Sequence, residues 1–304
     1  MLACSIGIMA YNEEENIGSL LDSLLNQELK SGIIEEIVVV ASGCTDRTEH
    51  VVIEYAKEND KIKLLTQAKR EGKASAINYY LRRTSAEIVI LESADTLPQK
   101  DTIEKLIRHF QCPDIGMVGG HPIPVNDKNT FMGFVVHLLW HLHHEIALKH
   151  PKCGEIVAFR NQFNEIPNDS VVDEAYIESI IAKAGYSIVY APEAIVWNNG
   201  PDNINDFIAQ RRRIAAGHIK LKVAANYSVA TKNSFRILFV LIKDQIKQLL
   251  WIFCAIFLEG YGRFLGLKDC CFNRKKHSIW EIAQSTKQNI KHKHDKISCD
   301  NTTV

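Results

Sequence analysis

Apolar and polar positions alternate between two periods along the first half of the chain. Ser5–Ala10, Glu36–Ser42, Lys61–Gln67, Ala86–Ser93 and Ile115–Gly120 are short apolar runs with the β-branched content of buried strands. Between them the apolar spacing turns helical, as at Ile17, Leu20, Leu21, Leu24 and Leu25. Residues 43–59, 72–84 and 100–110 read as a turn running into a helix and two further helices. Strands and helices of this length, taken in alternation, predict an α/β fold with a parallel, doubly wound sheet. On such sheets ligands bind beyond the carboxyl ends of the strands. Asn12, the Ser42-Gly43 pair and Asp95 fall at those ends, so they are expected to converge. Asn12 is also placed to cap a helix whose first turn carries Glu13, Glu14 and Glu15.

The pattern changes beyond residue 128. A long helix is expected over 129–150, then a loop, a helix beginning near Asp173 and a final strand pair. Residues 206–221 form a helix with three successive arginines, Arg211 to Arg213. Further on, Leu249–Leu258 is an uncharged apolar run, shorter than the ~20 residues of a spanning helix. Arg236, Lys243 and Lys247 precede it; Glu259 and Arg263 follow. Three readings fit it: an interfacial or re-entrant helix, a single tilted span, and a core or dimer-interface helix. The basic tail from Lys268 favours contact with a cytoplasmic membrane face, and a homo-oligomer stays among the expected partners. The final polar stretch reads as disordered.

Composition narrows the function. Acidic and basic residues balance to zero net charge, which gives no global field for nucleic acid. The eight cysteines form no CxxC and match no zinc or disulfide framework, so they read as reduced thiols. No signal peptide opens the chain, and the catalytic part is expected in the cytoplasm. Neither GxGxxG after the first strand nor GxxxxGK[ST] occurs, and no serine sits in a GxSxG elbow. His137, His141 and His144 share a helix face, but helical histidines beside an apolar stripe are more often packed than metal-bound.

The order of the pieces carries more. "SIGIMAYNEEENI", "VVASGCTDRTEHV", "REGKASAIN", "VILESADTLP", "DEAYIE" and "QRRRIAAGH" together resemble a family 2 glycosyltransferase of the GT-A fold, in its bacterial or archaeal membrane-associated branch. The resemblance covers about Leu2 to His218. It implies a GT-A, Rossmann-like, mostly parallel sheet flanked by helices, with an apolar C-terminal helical appendage. The domains expected are 1–232 for the catalytic fold, 233–267 for a membrane-associated helical segment and 268–304 for a basic, largely disordered tail.

The implied activity is inverting transfer from a nucleotide-diphosphate sugar to a hydroxyl acceptor that is lipid-linked or close to a membrane. A nucleotidyltransferase and a non-catalytic nucleotide-sugar binder are the alternatives. By resemblance, Ala10, Tyr11 and Glu13 border the base, Ser42 and Asp46 form the nucleoside loop, and Arg70, Gly72 and Lys73 face the diphosphate. The family's commoner Asp after the serine is Gly43 here. Ser93 and Asp95 occupy the DxD positions, so Asp95 is the expected ligand of a divalent cation, Mn²⁺ or Mg²⁺, and Ser93 is left to bond ribose. A lone carboxylate suffices if phosphates and waters supply the other oxygens. Glu174 is the expected base, with Asp173 second. Gln210 and Arg213 meet the acceptor or diphosphate, Arg211 or Arg212 being more solvent-facing because three adjacent helical side chains diverge. Ile214 stands where the family's Gln-x-x-Arg-Trp element has Trp.

Overall fold

The computed structural model describes residues 1–227, 249–272, 279 and 283–300. The boundary expected at 232 and the flanking charges Arg236, Lys243 and Lys247 lie outside them.

The first half is β1 (Leu2–Ala10), α1 (Ile17–Leu25), β2 (Gly32–Ser42), α2 (Thr48–Glu58), β3 (Ile62–Gln67), α3 (Lys73–Leu81) and β4 (Ile88–Ser93). Then come β5 (Thr96–Pro98), α4 (Thr102–Ile107), β6 (Ile115–Pro124), α5 (Phe131–Ala147), β7 (Ile156–Arg160), α6 (Asp173–Lys183), β8 (Ser187–Asn198) and α7 (Ile204–Ala225). Two more helices follow, α8 (Leu249–Phe272) and α9 (Ile290–Asp300). The strands form one sheet in the order β3-β2-β1-β4-β7-β6-β8-β5. It is mostly parallel, as expected; β7 runs against β4 and β6, and β5 against β8.

Two apolar layers hold the sheet. Ile6, Ile8, Val39 and Ile90 face α1 and α4 on one side. Val38, Val40, Val89 and Leu91 face α3 and α6 on the other. Each such side chain contributes about 1.5–3 kcal/mol by leaving water. The continuous apolar runs of the sequence reflect this burial on both faces. Gly7 has a local cause: a Cβ there would come within 2.4 Å of the Tyr80 ring. The Tyr80 hydroxyl instead reaches through to donate to Ser5 Oγ at 2.7 Å.

Four local expectations need correction. Asn12 caps no helix. It takes a left-handed φ of 51°, and its side chain ties down Thr45, accepting from Thr45 N at 2.8 Å and donating to Thr45 Oγ1 at 3.0 Å. Helix α1 therefore starts at Ile17. The expected loop before Asp173 contains β7, and the expected strand pair is the single strand β8.

Arg211 and Arg212 are not solvent-facing either. Each forks onto a carboxylate of α8: Arg211 on Glu259 at 2.5 and 2.9 Å, Arg212 on Asp269 at 2.5 and 2.6 Å. The helices approach closely because α8 offers glycines. A Cβ at Gly262 would meet Arg211 Cβ at 2.7 Å, and one at Gly266 would meet Arg212 O at 2.5 Å.

The tail departs from the expected disorder over residues 283–295. This segment crosses the strand ends, and Ile290 is fully buried there.

Candidate active site

The carboxyl ends of β1, β2 and β4 open into a cavity of about 1280 Å³. Ala10, Tyr11, Glu13, Ser42, Arg70, Gly72, Lys73, Ser93, Asp95, Glu174, Gln210 and Arg213 all line it. Parallel register explains the meeting of the first three loops: β1 lies between β2 and β4, with Ala10 beside Ala41 and Met9 beside Ser93. Two expected residues are not brought in. Asp46 accepts from Thr48 N at 3.0 Å, Thr48 Oγ1 at 2.6 Å and Glu14 N at 3.1 Å, so it fastens the loop. Asp173 is buried behind the wall that Glu174 forms.

The nucleoside end is shaped by backbone. Gly43 has φ +64°, and a Cβ there would lie 2.4 Å from Arg70 N. Both the left-handed turn and the close pass of the 69–70 backbone require glycine, which is why no Asp follows Ser42. That pass sets the Arg70 guanidinium 4.0 Å from the centre of the Tyr11 ring.

The acid–base end is shaped by charge. Lys73, the first residue of α3, donates to Glu174 Oε1 at 2.6 Å. Burial pushes the Glu174 carboxyl up, but the charge and hydrogen bond of Lys73 outweigh it and hold Glu174 below its ordinary value. Burial pulls the Lys73 ammonium down, and Glu174 and Asp173 more than restore it. Lys73 thus sits on the base instead of reaching freely to the diphosphate. Burial raises Asp173 to about 7, with Lys73 opposing. Arg213 faces this pair; burial lowers it to about 10 against the pull of Asp173, Glu174 and Glu155.

Carboxylates crowd the tip of β4. Burial raises Asp95, and the Lys287 charge opposes the rise. Glu13 is driven to about 7 by burial and then by Asp95. Glu155 is driven to about 7 by the same two causes, with Lys73 and a hydrogen bond from Ser93 pulling it back. Lys73 and Lys287 offset part of this like-charge repulsion, and a bound cation would offset more. No group of three or more His, Cys, Asp or Glu among the described residues forms a complete metal cage. The tip instead suits an ion that keeps one or two protein carboxylates and takes its other oxygens from phosphate and water. Asp95 fits that part.

Sequence reasoning missed Glu155 and Lys287. Glu155 precedes β7 and takes φ +41°, a left-handed conformation that costs a non-glycine residue about 1–2 kcal/mol. Its carboxyl feels both Ser93 and Asp95, which puts a carboxylate beside the position where the DxD pattern lacks one. Nothing in "CGEIV" signals this, because the signal is a backbone angle. Lys287 donates to Tyr11 O at 2.9 Å and to Glu13 Oε1. It lies in a tail whose polar composition reads as disorder.

The helical histidines serve packing and local bonds. His137 Nε2 bonds the Asn126 carbonyl at 2.9 Å. His144 Nδ1 bonds the Tyr190 hydroxyl at 2.9 Å and stacks on His121 with ring centres 4.2 Å apart.

Comparison with known proteins agrees with this geometry. A family model described as glycosyl transferase family 2 matches residues 5–183. Poly-beta-1,6-N-acetyl-D-glucosamine synthase of Staphylococcus aureus is 27% identical over 273 residues, or 86% of this chain. The chain spans 63% of that relative's length. A mannosyltransferase of Pyrobaculum calidifontis, solved with GDP-Man and Mn²⁺, superposes with a TM-score of 0.65 at 21% identity, covering 90% of this chain and 88% of that one. Glucosyl-3-phosphoglycerate synthase of Mycobacterium tuberculosis, solved with Mn²⁺, UDP-Glc and glycerol 3-phosphate, gives 0.51 at 20% identity, covering 74% and 80%. The two superpositions show the GT-A fold. The family match spans more than half the chain: the chain belongs to glycosyl transferase family 2.

Proposed function

We propose that the chain transfers a sugar, with inversion, from a nucleotide-diphosphate donor to a hydroxyl acceptor at a membrane surface. One observation carries the reading: Asp95 and Glu174 open into the same cavity from different elements, with Lys73 and Arg213 beside them. Ala10, Tyr11, Glu13 and Ser42 take the nucleoside, and Arg70 and Gly72 border the diphosphate. Ser93 bonds the ribose or keeps Glu155 in place. Asp95, with Glu155 alongside, would hold Mn²⁺ or Mg²⁺, which would supply counter-charge to the diphosphate.

Glu174 takes the acceptor proton. Its lowered pKa keeps it ionised near neutral pH, and Oε1 is occupied by Lys73, so Oε2 faces the incoming hydroxyl. The acceptor oxygen forms a bond to the anomeric carbon as the carbon–phosphate oxygen bond breaks, and the nucleoside diphosphate leaves with both electrons. Gln210 and Arg213 orient the acceptor side. Glu174→Gln tests the assignment: transfer should fall about 10²–10⁴-fold, the usual worth of a general base, with nucleotide affinity kept. Undiminished transfer would move the base elsewhere.

The membrane part rests on α8. Helix α8 is long and apolar enough to cross a membrane by length and composition. Its small and charged residues pack on α7, whereas Leu250, Phe253, Phe257 and Phe264 are 60–73% exposed on the other side. A helix that turns phenylalanines away from its own protein suits an apolar solvent. The cavity reaches this helix through Ala255, Ile256 and Leu267, which fits an acceptor carried on a lipid. Serines at Phe253, Phe257 and Phe264 should cut liposome flotation at least fivefold. Equal flotation would remove the membrane from the proposal.

A further inference from the structure

We propose that residues 283–293 are a strap built into the donor site, and that Lys287 is the cation it delivers to the nucleotide's diphosphate. The inference rests on the nucleotide-sugar reading above and extends it to a residue far from every motif.

Tyr11 and Glu13 lie at the tip of β1, the nucleoside end of the cavity. Asp95 lies at the tip of β4, the neighbouring strand and the cation end. Lys287 bonds the first pair and lines the same cavity as Asp95. A diphosphate joins nucleoside to metal, so it must cross the space Lys287 faces. An ammonium has three N–H donors. Tyr11 and Glu13 take two, which leaves one for a ligand oxygen.

The catalytic fold keeps buried partners ready for the strap. Asn16 is fully buried. Its Nδ2 donates to Glu13 Oε2 at 3.2 Å and to Lys287 O at 3.2 Å, and its Oδ1 accepts from Ile290 N at 3.0 Å. Asn199 is 5% exposed. It donates to Thr286 O at 3.2 Å and Gln288 O at 3.3 Å, and accepts from Lys293 Nζ at 2.9 Å. Two buried amides thus draw most of their partners from the strap. Without it they would be left unsatisfied, which a folded interior avoids. Ser285 on Asp206 at 2.6 Å and Lys293 on Asp202 at 2.8 Å close the far edge. Ile290 is the apolar plug among these bonds.

A strap fixed this way delivers its lysine to one place. Surface lysines screen any anion, whereas Lys287, anchored on Tyr11 and Glu13, is held beside the diphosphate link. The effect should therefore depend on the second phosphate.

The test measures calorimetric binding to the full chain with MnCl₂, using UDP and GDP against UMP and GMP. Lys287→Ala should weaken the diphosphate that binds by at least tenfold and its monophosphate by less than threefold. Lys287→Arg should recover most of the loss. Ile290→Asp, which unseats the strap with Lys287 intact, should repeat the Lys287→Ala pattern. Diphosphate affinity within twofold of wild type in Lys287→Ala would overturn the proposal, as would an equal loss for mono- and diphosphate, the mark of a mere prop. A wild-type chain that binds neither diphosphate would sink the donor-site reading itself, a different result from either.

Discussion

The two ends of the cavity are built by opposite means. At the strand tips, Glu13, Asp95, Glu155 and Glu174 crowd against Lys73, Lys287 and Arg213, all placed by strand register, a helix start or the strap. At the far end, α5, α7 and α8 enclose apolar side chains, Phe134, Leu138, Phe207, Ile252 and Leu258 among them. There the charges, Arg211 and Arg212 with Glu259 and Asp269, clamp helix to helix. The contrast is sharpest in three consecutive residues: Arg211 and Arg212 fork onto carboxylates of α8, and Arg213, turned by the helical period, faces Asp173 and Glu174. Charge at the tips is paired too, Lys73 on Glu174 and Lys287 on Glu13, but beside the open strand ends; charge between the helices joins one helix to another.

That difference predicts different failures. The largest separates chemistry from folding at the tips. Asp95→Asn should lower transfer by about 10²–10³-fold, in line with the several kcal/mol a catalytic cation supplies. It should also abolish the rise in melting temperature that nucleoside diphosphate gives with Mn²⁺, while the ligand-free melting temperature stays level or rises, since an uncomfortable charge has gone. A metal-dependent thermal shift surviving in Asp95→Asn would place the cation on other carboxylates.

The helix end should show the reverse. Arg211→Ala leaves Glu259 with Arg263, which donates to it at 2.7 Å, so the cost is that of a half-broken, partly exposed pair, about 1–2 kcal/mol. A chain of this size loses a few degrees of melting temperature for that. Nucleotide affinity should stay put. Glu259→Ala added to it should cost less than the two single changes together, because the partners share one interaction. A fall in nucleotide affinity would show that the two ends are coupled.

The same division explains what the sequence made legible. β1, β2 and β4 carry uninterrupted β-branched runs because they are buried on both faces, and motif order then singled out Asp95 and Glu174, which line one cavity. β7 escaped notice because five residues of strand lie between a glycine-containing turn and a polar loop, and strand direction leaves no mark on composition. Glu155 depends on one backbone angle. Lys287 depends on two buried asparagines some 90 and 270 residues away in the chain. Divergence of the three arginines followed from helical geometry, but their partners on α8 did not, since pairing at that separation needs the fold. Asp46 reads as a ligand by motif, yet three local donors claim it.

Asp173 gives the smallest and most exacting test, because it sits beside the reacting end without touching the cavity. Its ordinary value is 3.8 and its folded value about 7, the cause being burial first. Between those values the folded chain keeps a proton that the unfolded chain has released. The unfolding free energy therefore falls as pH rises from about 4 to 7, and the full penalty stands above 7. A rise of that size sets a ceiling of about 4 kcal/mol on the penalty. Asp173→Asn removes the titration but also removes a carboxylate that Lys73 and Arg213 feel, so a gain of about 1–2 kcal/mol at pH 8 is expected. The variant's advantage in urea unfolding should be near zero at pH 4.5 and grow through pH 7, while transfer, proposed above to depend on Glu174, should stay within tenfold of wild type. An advantage that shrinks as pH rises would mean that Asp173 is ionised in the folded protein and belongs with the clamping charges of the helix end, not with the charges of the tips.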